Sequence, residues 1–219
     1  MKIIELKETV TASNDRDAEV LRGELKAQKT LLVNLMASPG AGKTTLLERT
    51  IRDLGKKYRM AVMEADVDSD VDAKRIEALG AKAVQAHTGG MCHMDAGMTR
   101  RALEELNAPD SDVVILENVG NLICPAEFDT GAAKNVMLLS VPEGDDKPLK
   151  YPLMFSTSDV LIITKTDVAP YFDFDFAACR ERAKKLNPAI EIFEVSSKTG
   201  DGMDAWEAWL SDAIDSHNA

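Results

Sequence analysis

A phosphate-binding loop pattern constrains the fold of this chain more than any other feature. Residues 37–44 read Ala-Ser-Pro-Gly-Ala-Gly-Lys-Thr, between an apolar strand-like stretch and a helix predicted over 43–54. Small residues let backbone N–H groups turn toward phosphate oxygens, and a helix N-terminus adds unpaired donors. The alternative is an ordinary glycine-rich turn before a helix. The strand–loop–helix order favours the nucleotide site.

Each loop residue has an expected role in nucleotide binding. Lys43 is predicted to neutralise the β- and γ-phosphates, and the Thr44 hydroxyl to ligate Mg²⁺. Ala37 stands where the usual pattern has glycine, and we expect its compact methyl to be tolerated. The predicted nucleotide-binding residues of the loop are Gly40, Ala41, Gly42, Lys43, Thr44 and Thr45.

The composition narrows the classes of partner. The 219 residues carry a formal net charge of −11, which argues against nucleic acid or an anionic membrane as a binding partner. No apolar run approaches the ~18 residues of a membrane-spanning helix, and the first residues lack the apolar core of a signal peptide. Three cysteines without a secretion signal indicate free thiols. We therefore expect a cytoplasmic protein.

Strand-like and helix-like segments alternate along the chain. The predicted strands are residues 30–37, 60–65, 83–86, 113–117, 135–141, 160–164 and 190–195. The predicted helices are residues 15–28, 43–54, 71–79, 95–106, 174–186 and 203–214. This order predicts an α/β fold, a three-layer P-loop NTPase with a mostly parallel sheet covered by helices on both faces. We expect a single domain over 1–219, with a short N-terminal extension (about 1–29) whose helix is capped by Asn14 or Asp15.

A carboxylate ends the apolar strand predicted over 113–117. Glu117 is placed to hold Mg²⁺ or its water, and the backbone N–H of Gly120 is placed to meet a γ-phosphate. The alternative is a solvated glutamate at a strand end. Downstream of a phosphate loop, the catalytic interpretation is favoured.

The strand predicted over 160–164 leads into a pattern that indicates guanine recognition. Lys165-x-Asp167 resembles the Asn-Lys-x-Asp motif, in which the aspartate accepts hydrogen bonds that only guanine donates. Thr164 replaces the usual asparagine, which we expect to weaken the bracing of the site. A second guanine loop is predicted at Ser196, Ser197 and Lys198, so GTP is expected over ATP.

The acidic run over 66–72 has two interpretations. Its spacing resembles a calcium-binding loop, but Val71 stands where such a loop needs glycine. The favoured interpretation is a strand-end Asp66 and a switch segment that carries Asp72 toward Mg²⁺ or the attacking water.

Two thiols and an imidazole follow two of the predicted strands. Cys92, His93 and Cys124 are expected at the carboxyl edge of the sheet, where they suit Zn²⁺ or Ni²⁺. The alternative is that the thiols are small buried apolar groups. Cys179, on a predicted helix, is interpreted as a core residue.

Several segments together resemble one known family. They are Ser-Pro-Gly-Ala-Gly-Lys-Thr-Thr (38–45), Gly-Met-Cys-His (90–93), Glu-Asn-Val-Gly-Asn-Leu-Ile-Cys-Pro (117–125), Glu-Gly-Asp-Asp-Lys-Pro-Leu-Lys-Tyr-Pro (143–152) and Thr-Lys-Thr-Asp (164–167). The combination resembles the HypB family of hydrogenase nickel-incorporation GTPases, in the SIMIBI class of P-loop NTPases. The related urease accessory GTPases carry a different Cys-Pro-His motif.

The resemblance implies a GTP-hydrolysing metallochaperone with slow intrinsic turnover. It implies a GTP-dependent homodimer, metal at Cys92, His93 and Cys124, and nickel delivery to a hydrogenase large-subunit precursor with a nickel-handling accessory protein. It also implies that Lys150 approaches the partner subunit's nucleotide and that Val168 and Phe172 lie at the dimer contact. The N-terminal segment has no Cys-rich or His-rich nickel motif, so we expect only the internal metal site.

Gly120, which is predicted to meet the γ-phosphate, lies only four residues before Cys124, which is a predicted metal ligand. We therefore expect that hydrolysis releases Gly120 and moves Cys124. Three other functions stay open: a urease-type accessory GTPase, a nucleotide-dependent kinase or ATPase whose thiols are core residues, and a nucleotide-dependent scaffold without gated metal transfer.

Overall fold

The computed structural model describes the backbone of residues 6–66 and 71–219, and the side chains of residues 11–65 and 75–219. Within these residues, seven parallel strands form one sheet in the order β3-β2-β4-β1-β5-β6-β7. The strands are β1 (Leu31–Ala37), β2 (Met60–Asp66), β3 (Lys82–His87), β4 (Val113–Glu117), β5 (Lys134–Ser140), β6 (Val160–Thr164) and β7 (Glu191–Glu194). The expected α/β fold is confirmed, and every observed strand pair is parallel.

Helices connect the strands and cover both faces of the sheet. Those observed are α1 (Leu6–Ala27), α2 (Lys43–Leu54), α3 (Val71–Ala78), α4 (Ala96–Leu106), α5 (Cys124–Glu127), α6 (Lys147–Lys150), α7 (Pro152–Thr157), α8 (Phe176–Leu186) and α9 (Met203–Asn218). None of the helices in the described part of the chain is long and apolar enough to cross a membrane.

The core lies on both sides of the sheet because neighbouring residues of a strand face opposite sides. In β1, Leu31, Val33 and Leu35 pack with α2 and α9. Leu32 packs with α1 and α4 on the other face. Farther along that second face, α7 and α8 cover β5 and β6. The sheet is therefore buried between two helical layers, as the continuous apolar strands predict.

The N-terminal helix differs from its prediction. It begins at Leu6 rather than near residue 15, so Asn14 and Asp15 lie inside it and not at its N-terminus. The reason is tertiary: Leu21 and Leu25 pack against α4, and the buried Asn14 amide bonds to other parts of the chain.

Residues 124–157 contain short helices that the apolar pattern did not predict. The segment 142–148 includes most of a 3₁₀ turn at Val141–Glu143 and the start of α6. These helices have four to six residues, which is too short for a helical apolar period to appear in the sequence.

Candidate nucleotide and metal site

The phosphate loop joins the end of β1 to α2. Gly40 and Gly42 have φ angles of 75° and 100°, a left-handed region that favours glycine. Gly42 precedes α2 directly, and Lys43 is its first residue, with a side chain only 9% exposed. Ala37 is fully buried at the end of β1. Its methyl group is therefore accommodated in the fold.

Glu117 brings a carboxylate to the phosphate loop. The Thr44 hydroxyl donates a hydrogen bond to Glu117 Oε1 over 3.3 Å, and Lys43 Nζ lies 4.0 Å from the same oxygen. A hydroxyl and a carboxylate are oxygen donors of the kind that Mg²⁺ prefers, so the donor set fits this ion. Asp66 ends β2 and Asp72 is the second residue of α3. The side chains of both lie outside the described residues.

Gly120 lies directly against the phosphate loop. A Cβ atom at this position would stand 3.0 Å from Pro39 Cγ and 3.2 Å from Pro39 N. The absence of a side chain therefore permits the close approach. The contact of the Gly120 N–H with a γ-phosphate stays a prediction.

The loop that follows β6 also holds the phosphate loop. The Thr164 hydroxyl donates to the Ala41 carbonyl over 2.6 Å, and Lys165 Nζ donates to the Gly40 carbonyl over 2.7 Å. Thr164 was expected to weaken the bracing of the site because it replaces an asparagine. Its hydroxyl nevertheless braces the phosphate loop, and a weaker bracing than asparagine would give stays a prediction.

The two predicted guanine loops contact each other. The hydroxyl of Ser196, which is fully buried, donates to Asp167 Oδ1 over 2.8 Å. Ser197 is half-buried, and Lys198 is exposed beside it. The carboxylate predicted to read guanine is therefore held in place by the second loop.

The three predicted metal ligands converge. The Cys92 sulfur, a ring nitrogen of His93 and the Cys124 sulfur all lie within 4.8 Å of one another. The Cys92 and Cys124 sulfurs are 2.8 Å apart, and His93 Nδ1 is 3.9 Å from the Cys92 sulfur. Two thiols and an imidazole form a soft donor set that suits Ni²⁺ or Zn²⁺.

The environment of the ligands affects their protonation. Burial lowers the pKa of His93, which favours the neutral imidazole that binds metals. The hydrogen bond from Cys92 and partial burial raise the pKa of the Cys124 thiol. Cys179 is fully buried on α8, and burial raises its pKa to about 12. Cys179 is therefore a core residue, as expected.

Two side chains that were not among the predicted site residues support the metal ligands. Phe128 stacks on His93, and the buried Asn14 links the loops that carry the ligands. Asn14 Nδ2 donates to the Asp129 carbonyl over 2.8 Å, and Asn14 Oδ1 accepts from the Ala96 N–H over 2.9 Å. The sequence contains one indication of this role: Asn14 is a polar residue on the apolar stripe of an amphipathic helix, where a buried polar side chain needs hydrogen-bond partners.

An ion pair strengthens the same attachment of α1. Arg22 Nη2 donates to both carboxylate oxygens of Asp129 over 2.8 and 2.7 Å, and Arg22 Nε donates to the Ala132 carbonyl over 3.0 Å. A Cβ atom at Gly131 would lie 2.8 Å from the Leu21 side chain. Helix α1 is therefore packed closely against the segment that follows Cys124.

The residues that the resemblance places at a dimer contact are on the surface. Lys150 ends α6 and pairs with Asp146 over 2.5 Å. Val168 is half-buried in the 3₁₀ segment Thr166–Tyr171, and Phe172 follows it with 45% of its area exposed. Their role at a contact stays a prediction.

Comparisons with known proteins agree with this geometry. The model of the family described as CobW/HypB/UreG, nucleotide-binding domain, matches residues 31–194. The hydrogenase maturation factor HypB of Azotobacter chroococcum mcd 1 is 46% identical over 209 residues, which cover 95% of this chain and 68% of the relative.

Two solved structures are similar over nearly their whole length. HypB from Helicobacter pylori in complex with nickel has a TM-score of 0.88 and 39% identity, covering 94% of this chain and 97% of the other. HypB from Archaeoglobus fulgidus has a TM-score of 0.87 and 39% identity, covering 93% and 99%. The chain therefore belongs to the CobW/HypB/UreG family of nucleotide-binding domains, and within it to the HypB hydrogenase maturation factors.

Proposed function

We propose that this chain is a GTP-hydrolysing metallochaperone that carries nickel, or zinc, at Cys92, His93 and Cys124. In the cytoplasm it would support nickel insertion into the precursor of a nickel–iron hydrogenase, together with a nickel-handling accessory protein. The observation that carries the proposal is the convergence of the three ligand atoms within 4.8 Å. One of the three ligands, Cys124, lies four residues after Gly120, which is predicted to meet the γ-phosphate.

The chemistry of hydrolysis rests on the phosphate loop. Lys43 binds the β- and γ-phosphates, and the backbone N–H groups from Gly40 to Thr45 surround the phosphate oxygens. Mg²⁺, when bound, supplies charge neutralisation between these phosphates. Thr44, Glu117, Asp66 and Asp72 would hold it. We expect slow intrinsic turnover.

Selection of guanine rests on Asp167. Its carboxylate accepts from guanine N1–H and the 2-amino group, whereas adenine donates neither bond. The hydrogen bond from Ser196 supports the proposal, because it fixes the carboxylate before the nucleotide arrives. The Lys165 stem, which passes within 3.8 Å of the Cβ position of Gly42, would lie along the purine.

Nucleotide state and metal affinity are coupled through residues 120–124. Gly120 contacts the γ-phosphate and releases it on hydrolysis, and the segment then moves Cys124. A coupling free energy of about 1–3 kcal/mol corresponds to a roughly 5–150-fold change in metal affinity. The close packing of Gly120 on Pro39 supports this step.

GTP also drives dimerisation in this proposal. Lys150 approaches the nucleotide of the partner subunit, and Val168 and Phe172 form part of the contact. The exposure of Phe172 and of its neighbour Tyr171 supports this, because large apolar side chains on a surface often mark an interface.

A nickel titration of the reduced protein tests the proposal. It is run once with GDP and once with a non-hydrolysable GTP analogue. We expect two different affinities or stoichiometries. Equal nickel binding in both nucleotide states would show that the nucleotide does not gate the metal. Absence of nickel binding in both states would show that Cys92, His93 and Cys124 do not form a metal site. Multiple-turnover phosphate release would separate an enzyme from a scaffold that only binds the nucleotide.

A further inference from the structure

We propose that Asn118 is a positioning residue that transmits the nucleotide state to His93. This link starts from Gly120, as the path to Cys124 does, but it ends at a different metal ligand, and it rests on the function proposed above. The side-chain oxygen of Asn118 accepts a hydrogen bond from the Met94 N–H over 3.3 Å. That N–H belongs to the peptide unit that begins at the His93 carbonyl.

Asn118 lies between the nucleotide site and the metal site because side chains at the end of β4 alternate between the two faces of the sheet. Glu117 faces the phosphate loop, where its carboxylate meets Thr44 and Lys43. The next residue along an extended chain faces the opposite side of the sheet. Asn118 therefore points toward the layer of α4 and contacts the residue that follows His93. Adjacent residues thus serve the nucleotide and the metal.

Hydrogen bonds and burial hold the side chain of Asn118 in place, so it moves only when its backbone moves. Its side chain is fully buried, and its Nδ2 donates to Asn34 Oδ1 over 3.0 Å. Its backbone N–H donates to the Leu35 carbonyl over 2.9 Å, and its Oδ1 also accepts from the Val119 N–H over 2.9 Å. A buried amide with these partners is costly to leave unpaired, so a displaced Asn118 moves its partners with it or breaks bonds.

The consequence concerns both kinds of metal ligand. When Gly120 moves with the γ-phosphate, Cys124 shifts at one end of the segment and Asn118 at the other. The Met94 peptide follows Asn118, and the attached His93 changes its position relative to Cys92. The imidazole and the thiol therefore respond together, which a connection through Cys124 alone would not achieve.

A matched pair of variants tests this link. Asn118→Ala removes the contact with Met94. Asn135→Ala removes the far end of the same amide chain, where Asn34 Nδ2 donates to Asn135 Oδ1 over 3.0 Å, and leaves Met94 untouched. Nickel affinity is measured for each variant with GDP and with a non-hydrolysable GTP analogue, after thermal unfolding has verified the fold.

We expect the ratio of the two nickel affinities to shrink by roughly two- to tenfold in Asn118→Ala, the size expected for one lost hydrogen bond. The ratio should stay at the wild-type value in Asn135→Ala. A merely structural role of Asn118 would lower both affinities and leave the ratio unchanged, and that result overturns the proposal. The nickel-gating function would then stand without this link.

Amide hydrogen exchange in the metal-free wild-type protein provides a second measurement, which does not depend on the variants folding. We expect the exchange rate of the Met94 amide to differ between GDP and the GTP analogue. Equal rates overturn the link. Different rates combined with equal nickel affinities support the link and reject the gating of metal binding.

Discussion

The imidazole of His93 lies nearly parallel to the ring of Phe128, with centroids 3.8 Å apart and planes inclined by 13°. His93 is only 7% exposed, and its Nδ1 faces the Cys92 sulfur at 3.9 Å. The stacking fixes the plane of the ring. A metal ligand whose plane is fixed in advance loses less conformational entropy when the ion binds.

Phe128→Leu is expected to weaken nickel binding several-fold while GDP affinity stays unchanged. Removing a stacked ring forfeits about 0.5–1.5 kcal/mol, a roughly two- to tenfold effect. Phe176→Leu removes a half-buried ring from α8, away from the metal ligands, and serves as the control. Isothermal titration with Ni²⁺ and with GDP gives both affinities. Equal nickel affinities for the two variants would reject a role for the stacking.

Asn14→Ala is expected to lower nickel affinity by a similar factor in both nucleotide states. Its amide joins the Asp129 carbonyl to the buried Ala96 N–H, so its loss separates the two ligand-bearing loops and removes a hydrogen-bond partner from both groups. Asp15→Ala changes the exposed neighbouring residue and should have no effect on either affinity. If Asn14→Ala altered only the GTP-analogue state, the amide would belong to the switch instead.

Cys124→Ala is expected to abolish the nucleotide dependence of nickel binding and leave GTP hydrolysis largely intact. Lys43→Ala removes the ammonium predicted to neutralise the phosphates, so it should abolish hydrolysis. Phosphate release and nickel titration are measured on both variants. A Cys124→Ala protein as inactive in hydrolysis as Lys43→Ala would contradict this division of roles.

Asp167→Asn is expected to weaken GTP binding, because an amide cannot accept both guanine N–H bonds. One lost bond to a charged acceptor costs about 1.5–3 kcal/mol, roughly a 10- to 150-fold loss. Xanthosine triphosphate presents a carbonyl where guanine has its amino group, so it should bind Asp167→Asn better than the wild type. Competition against a fluorescent GDP measures both. If xanthosine triphosphate does not bind Asp167→Asn better than it binds the wild type, the guanine base is recognised by residues other than Asp167.

Glu207→Gln is expected to stabilise the protein at alkaline pH. Burial and the neighbouring Asp53 raise the pKa of Glu207 to about 7, so the folded state holds a proton that the unfolded chain releases above about pH 4.5. The unfolding free energy therefore falls as the pH rises from 4.5 to 7. After allowance for screening, the effect is about 1 kcal/mol.

Thermal unfolding between pH 5 and 8 tests this expectation. The wild type should lose stability relative to Glu207→Gln as the pH rises, whereas Glu105→Gln, on the exposed side of α4, should follow the wild type. Parallel curves for all three proteins would show that Glu207 carries its charge without a penalty.

The sequence by itself predicted the architecture and the places where the site residues stand. Continuous apolar strands alternating with helices specify a parallel sheet, because only such a sheet buries both faces of its strands. The carboxyl ends of these strands meet at one edge, so the order along the chain was enough to group the phosphate loop, Glu117 and Lys165. The helix boundaries of α2 and the strand boundaries of β4 and β6 also agree with the prediction.

Only the tertiary structure decided how the site is supported. Asn14 bonds to residues 115 and 82 positions away, and its capping role predicted from the sequence was wrong for that reason. The stacking of Phe128 on His93 and the bond from Met94 to Asn118 likewise join residues on separate loops. Local patterns report the preference of a segment for helix, strand or turn. They do not report which distant side chain fills a given space, because that is determined by the packing of the whole chain.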